Sequence, residues 1–162
     1  MAFTVLVTGA TGKQGSHVVA SLLALPTPPT SIIALTRSPT SPASLALAQK
    51  SPSINLLQGS FSTLVTALVG VDAVFLMTDI ASGGAEGELK QGREIVEGLK
   101  SHLESEGGKE RKLNVVYTSV DGAERKSGVP HFESKFVIEE MLREVIGESL
   151  TILSLQAGGL YG

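Results

Sequence analysis

Residues Phe3-Thr-Val-Leu-Val-Thr8 run directly into Gly9-Ala-Thr-Gly12-Lys-Gln-Gly15, and from there into a stretch with apolar Val18, Val19, Leu22 and Leu23. A short apolar run, three glycines at three-residue spacing and then helical periodicity read as a strand, a tight turn and a helix. The glycines serve the turn, the close approach of backbone to a pyrophosphate and the packing of helix on strand. The helix N-terminus adds N–H donors and the positive end of a dipole, which suit an anion. The pattern predicts a βαβ unit that binds a dinucleotide, with Gly9, Thr11, Gly12, Lys13, Gln14 and Gly15 as candidate contacts. The alternative is an inherited turn that no longer binds.

The same alternation continues to the end of the chain. Strands are expected over residues 3–8, 32–36, 54–57, 73–77, 113–118 and 150–155, and helices over 14–25, 42–49, 61–69, 87–105 and 132–146. Near-continuous apolar strands separated by helices argue for a parallel sheet covered on both faces. The expectation is one α/β domain over residues 1–162: a Rossmann-type doubly wound sheet of about six strands in the order 3-2-1-4-5-6, with its ligand at the switch point between strands one and four. Leu89, Val96, Leu99 and Leu103 fall on one face of the fourth helix, and Ile138, Met141, Leu142 and Val145 on one face of the last; both are read as sheet-packing stripes. Six of the seven prolines lie between Pro26 and Pro52, so the first two crossovers should be loop-rich. Gly107, Gly108 and the charged residues 109–112 read as a solvated turn.

Charge separates the chain into two parts. Residues 1–71 contain no Asp or Glu and only Lys13, Arg37 and Lys50 as bases, whereas the later residues hold all 16 acids. With a net charge of −3 and 4% aromatics, a basic groove with stacking platforms is excluded, so no direct nucleic-acid partner is expected. There is no Cys, hence no disulfide and no thiolate chemistry. No stretch reaches the roughly 18 apolar residues of a membrane span. The acid-free, Ser/Thr-rich start has something of a transit peptide, but it is Arg-poor and opens with a strand, so the expected location is cytoplasmic.

An NAD-type site of this kind has an acid on the ribose 2′-OH about 20 residues after the glycines. This chain has none before Asp72. Strand two instead ends in Leu35-Thr36-Arg37-Ser38, where Arg37 and Ser38 can hold a 2′-phosphate by charge-assisted bonds. NADP(H) is therefore preferred over NAD(H), with Lys13 as a second candidate for the phosphate. The alternative for both bases is a solvated surface charge. Thr78 and Asp79 follow strand four at the carboxyl edge, and Thr78 is a candidate cofactor contact, although loop capping explains both as well.

The glycine loop, the Thr36-Arg37-Ser38 strand end, Thr118-Ser-Val-Asp-Gly-Ala-Glu124 and Gly128-Val-Pro-His-Phe-Glu-Ser-Lys135 together resemble the NmrA-like family of atypical short-chain dehydrogenases/reductases. The resemblance spans essentially the whole chain. It implies a Rossmann fold, NADP(H) preference and one of two roles, a reductase or a redox-sensing regulator that binds dinucleotide without turnover. Relatives commonly carry an acid after strand three near the adenine; here Gln58-Gly59-Ser60-Phe61-Ser62 stands there, so Ser60 and Phe61 become the candidate contacts. Relatives also continue past strand six into a substrate-binding region. This sequence ends at Ala157-Gly-Gly-Leu-Tyr-Gly162, so most of that region is expected to be missing.

Short-chain reductases use a Ser after strand five and a Tyr-x-x-x-Lys on the next helix, with Tyr as proton donor and Lys on the nicotinamide ribose. By resemblance the catalytic candidates are Ser119, His131 in the Tyr position, and Lys135, which is also a cofactor-binding candidate. The i, i+4 spacing puts His131 and Lys135 on one helix face. An imidazole with a reference pKa near ~6.5 can act as a general acid at neutral pH, and a helix start should favour its neutral form. The alternative is that His131 caps or packs at the helix start, Lys135 is solvated and Ser119 bonds backbone. His17 and His102 show no metal-ligand spacing with His131, so no metal is expected.

Two functions follow as expectations. One is an NADPH-dependent oxidoreductase using Ser119, His131 and Lys135 on a small carbonyl, quinone or enone-like substrate. The other is a non-catalytic module that reports NADP(H) to a protein partner; an inactive, shortened descendant is a third possibility. An unprotected outer edge on strand six predicts a homodimer or aggregation.

Overall fold

A computed structural model describes residues 2–109, 112–125 and 127–155. The elements follow the expected alternation: β1 (Thr4–Thr8), α1 (Lys13–Leu23), β2 (Ser31–Thr36), α2 (Pro42–Ala48), β3 (Ile54–Gln58), α3 (Leu64–Ala67), β4 (Ala73–Leu76), α4 (Gly84–Glu104), α5 (Glu106–Lys109), β5 (Asn114–Val120), α6 (Pro130–Ile146) and β6 (Leu150–Leu155). The six strands pair in parallel in the order β3-β2-β1-β4-β5-β6. This is the doubly wound order that the alternation predicts.

Strand alternation sends side chains to two cores, one on each face of the sheet. On one face Val5, Val7, Ile32, Ala34 and Phe75 pack under Val19 of α1 and Leu47 of α2. On the other, Leu6, Val74, Leu76, Val115 and Tyr117 pack under Leu64 of α3, Ile95 and Leu99 of α4, and Ile138 and Leu142 of α6. In the proline-rich segment Pro42 takes the first turn of α2, where its missing N–H is harmless, and Ser41 caps the helix by accepting from the Ser44 N–H at 3.2 Å.

Three local expectations are corrected. Residues 61–69 do not form one helix: a 3-10 turn at Phe61–Thr63 leads into the single turn of α3. The solvated turn at 107–112 contains α5, in which Gly108 is buried against the end of α4; residues 110 and 111 lie outside the described residues. The buried line of α4 is Glu88, Gly92, Ile95, Leu99 and His102, whereas Leu89 and Val96 are only half-buried. The cause is Gly92, the point where α6 comes closest. A Cβ there would lie 2.8 Å from Ile138 Cδ1, so the helix turns its smallest residue, rather than its most apolar stripe, toward α6.

Packing is similarly tight where α1 leaves the glycine turn. A Cβ on the buried Gly15 would sit 2.8 Å from Ala10 Cα, and backbone cannot yield as a flexible side chain can. Gly15→Ala is expected to lower stability by about 1–3 kcal/mol in urea denaturation. Gly107→Ala, where nothing lies within 4 Å, should be neutral or slightly stabilising.

Candidate functional site

The glycine turn leaves β1 at the carboxyl edge of the sheet, beside β4. Gly9 has φ +60°, a conformation that favours glycine, and a Cβ there would lie 2.6 Å from Met77 Sδ. The Thr8 hydroxyl ties the two strand ends together, donating to Phe75 O at 3.1 Å and accepting from the Met77 N–H at 3.0 Å. The Gly12 N–H donates to Gly9 O at 2.9 Å, and Gly12 then caps α1 without a side-chain acceptor. The first-turn N–H groups of α1 are therefore left for another acceptor. Thr11, Gly12, Lys13 and Gln14 are exposed around them. Gln14 Oε1 also accepts from the Thr118 hydroxyl at 3.3 Å, which links the turn to the end of β5. An exposed, positively polarised helix start with no side-chain cap fits a pyrophosphate.

At the end of β2 the chain is folded by hydroxyls. Thr36 Oγ1 accepts from the Ser38 N–H at 3.2 Å, and Ser38 O accepts from the Ser44 hydroxyl at 2.8 Å. Arg37 and Ser38 are exposed there, and among the described residues the Arg37 guanidinium has no ion-pair partner. Ser60 and Phe61 follow β3: the Ser60 N–H donates to Thr63 Oγ1 at 3.0 Å, and the half-buried Phe61 ring packs against the α3–α4–α6 core.

The densest polar cluster is built on Glu88, which is fully buried. Its Oε1 accepts from the Thr78 hydroxyl at 2.8 Å and from Lys135 Nζ at 3.2 Å; its Oε2 accepts from the Ser134 hydroxyl at 2.6 Å and faces His131 Nδ1 at 2.9 Å. The Tyr117 hydroxyl lies 3.0 Å from Thr78 Oγ1. Lys135 Nζ donates further to Thr78 Oγ1 at 2.9 Å and Thr118 O at 3.2 Å, and lies 5.1 Å from the Tyr117 ring centroid. Lys135 is thus neither solvated nor open: all its ammonium protons have protein acceptors. His131 is the accessible member, with 31% of its side chain exposed.

Of the catalytic candidates, the structure brings His131 and Lys135 together, with Thr78 between β4 and Lys135. Ser119 has a different partner. The buried Ser119 hydroxyl donates to Glu139 Oε1, and Glu139 Oε2 accepts from Arg143 Nη2 at 3.2 Å. Among the described residues no group of three or more His, Cys, Asp or Glu could hold a metal. His17 bonds the Lys13 carbonyl within its own helix, and His102 is buried beside α5.

Glu88 was not legible as a site residue from motif reading, because no motif contains it. The available signal was phase: Glu88 lies seven residues before Ile95 and eleven before Leu99, on the same helical face. An acid in phase with a core stripe needs partners. Burial works to raise the Glu88 carboxyl, but Ser134, the Lys135 ammonium, Thr78 and His131 together hold it below its ordinary value of 4.5. Burial lowers Lys135 against the opposing pull of Glu88 and pushes the Tyr117 hydroxyl well up.

A carboxyl whose folded value is depressed stabilises the fold fully above its unfolded value and ceases to do so as pH falls through the folded one. Urea midpoints of the wild type are therefore expected to fall as the medium is acidified below pH 4.5, in excess of the fall in Glu88→Gln, which lacks the titrating group. Parallel profiles for the two proteins would contradict this assignment.

Comparison with known proteins agrees with the geometry. The NmrA-like family matches over residues 1–161. The mitochondrial protein fmp-52 of Neurospora crassa is 26% identical over 151 residues, which cover 90% of this chain and 60% of that protein. The short-chain dehydrogenase/reductase of Veillonella parvula solved with NADP superposes with a TM-score of 0.68 at 18% identity, covering 95% of this chain and 69% of the other. Nmra, a negative transcriptional regulator, superposes with a TM-score of 0.70 at 20% identity, covering 94% and 45% respectively. The chain thus spans less than two thirds of fmp-52 and less than half of Nmra. With the glycine turn, the strand order and the family match in agreement, the chain belongs to the NmrA-like family and carries its NAD(P)-binding Rossmann architecture.

Proposed function

We propose that the crevice between β1 and β4 binds NADP(H) and that the domain is the cofactor-binding part of an NADPH-dependent oxidoreductase acting on a small carbonyl, quinone or enone-like substrate. The observation that carries this reading is the meeting of two features at one sheet edge. A glycine turn open to an anion follows β1, and a partly exposed imidazole on α6, backed by the buried Glu88 of α4, is tied through Thr78 to the end of β4; Thr8 links β1 to β4 and Gln14 links the turn to the end of β5.

In this reading the turn from Gly9 to Gly15 holds the pyrophosphate, and Arg37 and Ser38, helped by Lys13, hold the 2′-phosphate. Ser60 and Phe61 flank the adenine, and Thr78 lies on the nicotinamide side. When bound, the cofactor supplies a hydride. His131 donates a proton to the oxygen that gains charge as the hydride arrives, the role of Tyr in related reductases. Lys135 keeps positive charge under the site, and a ribose hydroxyl would have to replace one of its present acceptors.

A second reading, a non-catalytic NADP(H)-sensing module that acts through a protein partner, is favoured by one observation. The polar hydrogens of Ser119 and Lys135 are already taken by the protein, so two of the three candidate catalytic groups are occupied.

Calorimetric titration with NADPH, NADP⁺, NADH and NAD⁺, followed by NADPH oxidation over a panel of carbonyls and quinones, separates the two. Binding with turnover supports the reductase; binding without it across the panel favours the sensor; no binding overturns both. Arg37→Ala is expected to weaken NADPH roughly tenfold to a hundredfold while leaving NADH unchanged, the loss of one charge-assisted pair. His131→Gln should lower kcat by about 10²-fold or more at unchanged NADPH affinity.

A further inference from the structure

We propose that Glu88 is a positioning residue that fixes His131 as the Nδ1–H tautomer, leaving Nε2 as the atom that exchanges the proton. The tautomer assignment stands on the geometry; its consequence for turnover rests on the reading of His131 as proton donor given above.

An ionised carboxylate has no proton to offer. Glu88 Oε2 lies 2.9 Å from His131 Nδ1, so the hydrogen between them belongs to the ring. The carboxylate cannot turn away. Thr78 and Lys135 hold Oε1, Ser134 holds Oε2, and the side chain is fully buried between α4 and α6. Ser134 and Lys135 lie three and four residues after His131 on the same face of α6, so one helix presents all three groups to Glu88. The ring itself is partly exposed, and among the described residues its Nε2 has no hydrogen-bond partner.

The proton balance is simple. The imidazolium gives its Nε2 proton to the substrate oxygen and becomes neutral with Nδ1–H still donated to Glu88. In the reverse direction the Nε2 lone pair takes the proton back. Glu88 remains ionised throughout and keeps accepting the Nδ1–H, as the buried acid orients the imidazole in a Ser-His-Asp triad.

The same contacts specify what Glu88→Gln does. Lys135 is donor-only and the Thr78 hydroxyl donates beside it, so both claim the amide oxygen at the Oε1 position. The amide NH₂ is left at the Oε2 position, facing Nδ1. The ring must then accept at Nδ1 and carry its proton on Nε2, so the tautomer reverses without a change in shape.

The test is two-bond ¹H–¹⁵N NMR of the imidazoles in the 162-residue protein at a pH where the rings are neutral, with His131 assigned by its loss in His131→Gln. The expected result is Nδ1–H in the wild type and Nε2–H in Glu88→Gln. Nε2–H in the wild type, or Nδ1–H retained in a folded Glu88→Gln, overturns the proposal. If Glu88→Gln does not fold, the wild-type spectrum decides alone, and Ser134→Ala should retain Nδ1–H because it leaves the carboxylate in place; its loss there also overturns the proposal. Where a substrate supports turnover, Glu88→Gln should lower kcat roughly 10²-fold or more with little change in the KM for NADPH. The expected tautomers without turnover on any substrate would overturn the reductase reading and leave this assignment standing.

Discussion

Placing a carboxylate in a protein interior is unfavourable by several kcal/mol unless charge and hydrogen bonds replace the lost water, and the cluster around Glu88 meets that condition in full. Lys135 supplies the opposite charge at 3.2 Å, and Thr78, Ser134 and His131 supply the remaining contacts. The pair joins α4 to α6 across the carboxyl end of β4, and the close packing of Gly92 against Ile138 one helical turn away brings the two helices near enough for it. The position of His131, and with it the chemistry proposed for the crevice, follows from that buried pair.

The other half of the site depends on backbone. At the glycine turn the N–H groups at the start of α1 have no side-chain cap, and Thr8 locks the turn to the end of β4. The surrounding 71 residues contain no acid, so nothing nearby in sequence opposes a polyanion. All acidic residues lie in the later part of the chain, where the buried ones among the described residues, Glu88 and Glu139, each have a partner on or beside α6. In the proposed reading, the separation of charge along the chain corresponds to a separation of tasks within the fold, anion binding on one side of the switch point and proton handling on the other.

Much of this was readable in the residues. Apolar runs alternating with helical periods placed all six strands to within two residues at either end, because a parallel strand buried on both faces has little freedom in composition. The glycine spacing located the turn, and the His131–Lys135 spacing put both side chains on one helix face. The reading failed where a local pattern was overruled by a neighbour. Leu89, Val96 and Leu99 do pack on the core as read, but the deepest line of α4 also takes in Gly92, which faces Ile138, and Glu88, which the stripe left out. Ser119 lies inside β5, one residue before its end, rather than after the strand, and its hydroxyl is directed to Glu139, which no local motif joins to it.

The sequence by itself determined the class of fold, the place of the glycine turn and the absence of any acid where a 2′-hydroxyl partner would stand, since these depend on residue type and short-range spacing alone. Only the tertiary structure decided which charges are buried and with whom. Glu88 and Lys135 are 47 positions apart and Thr78 and Lys135 are 57 apart; a contact over such a separation is set by how α4 and α6 pack on the sheet. The environment that gives His131 its one available nitrogen exists only once those helices have met.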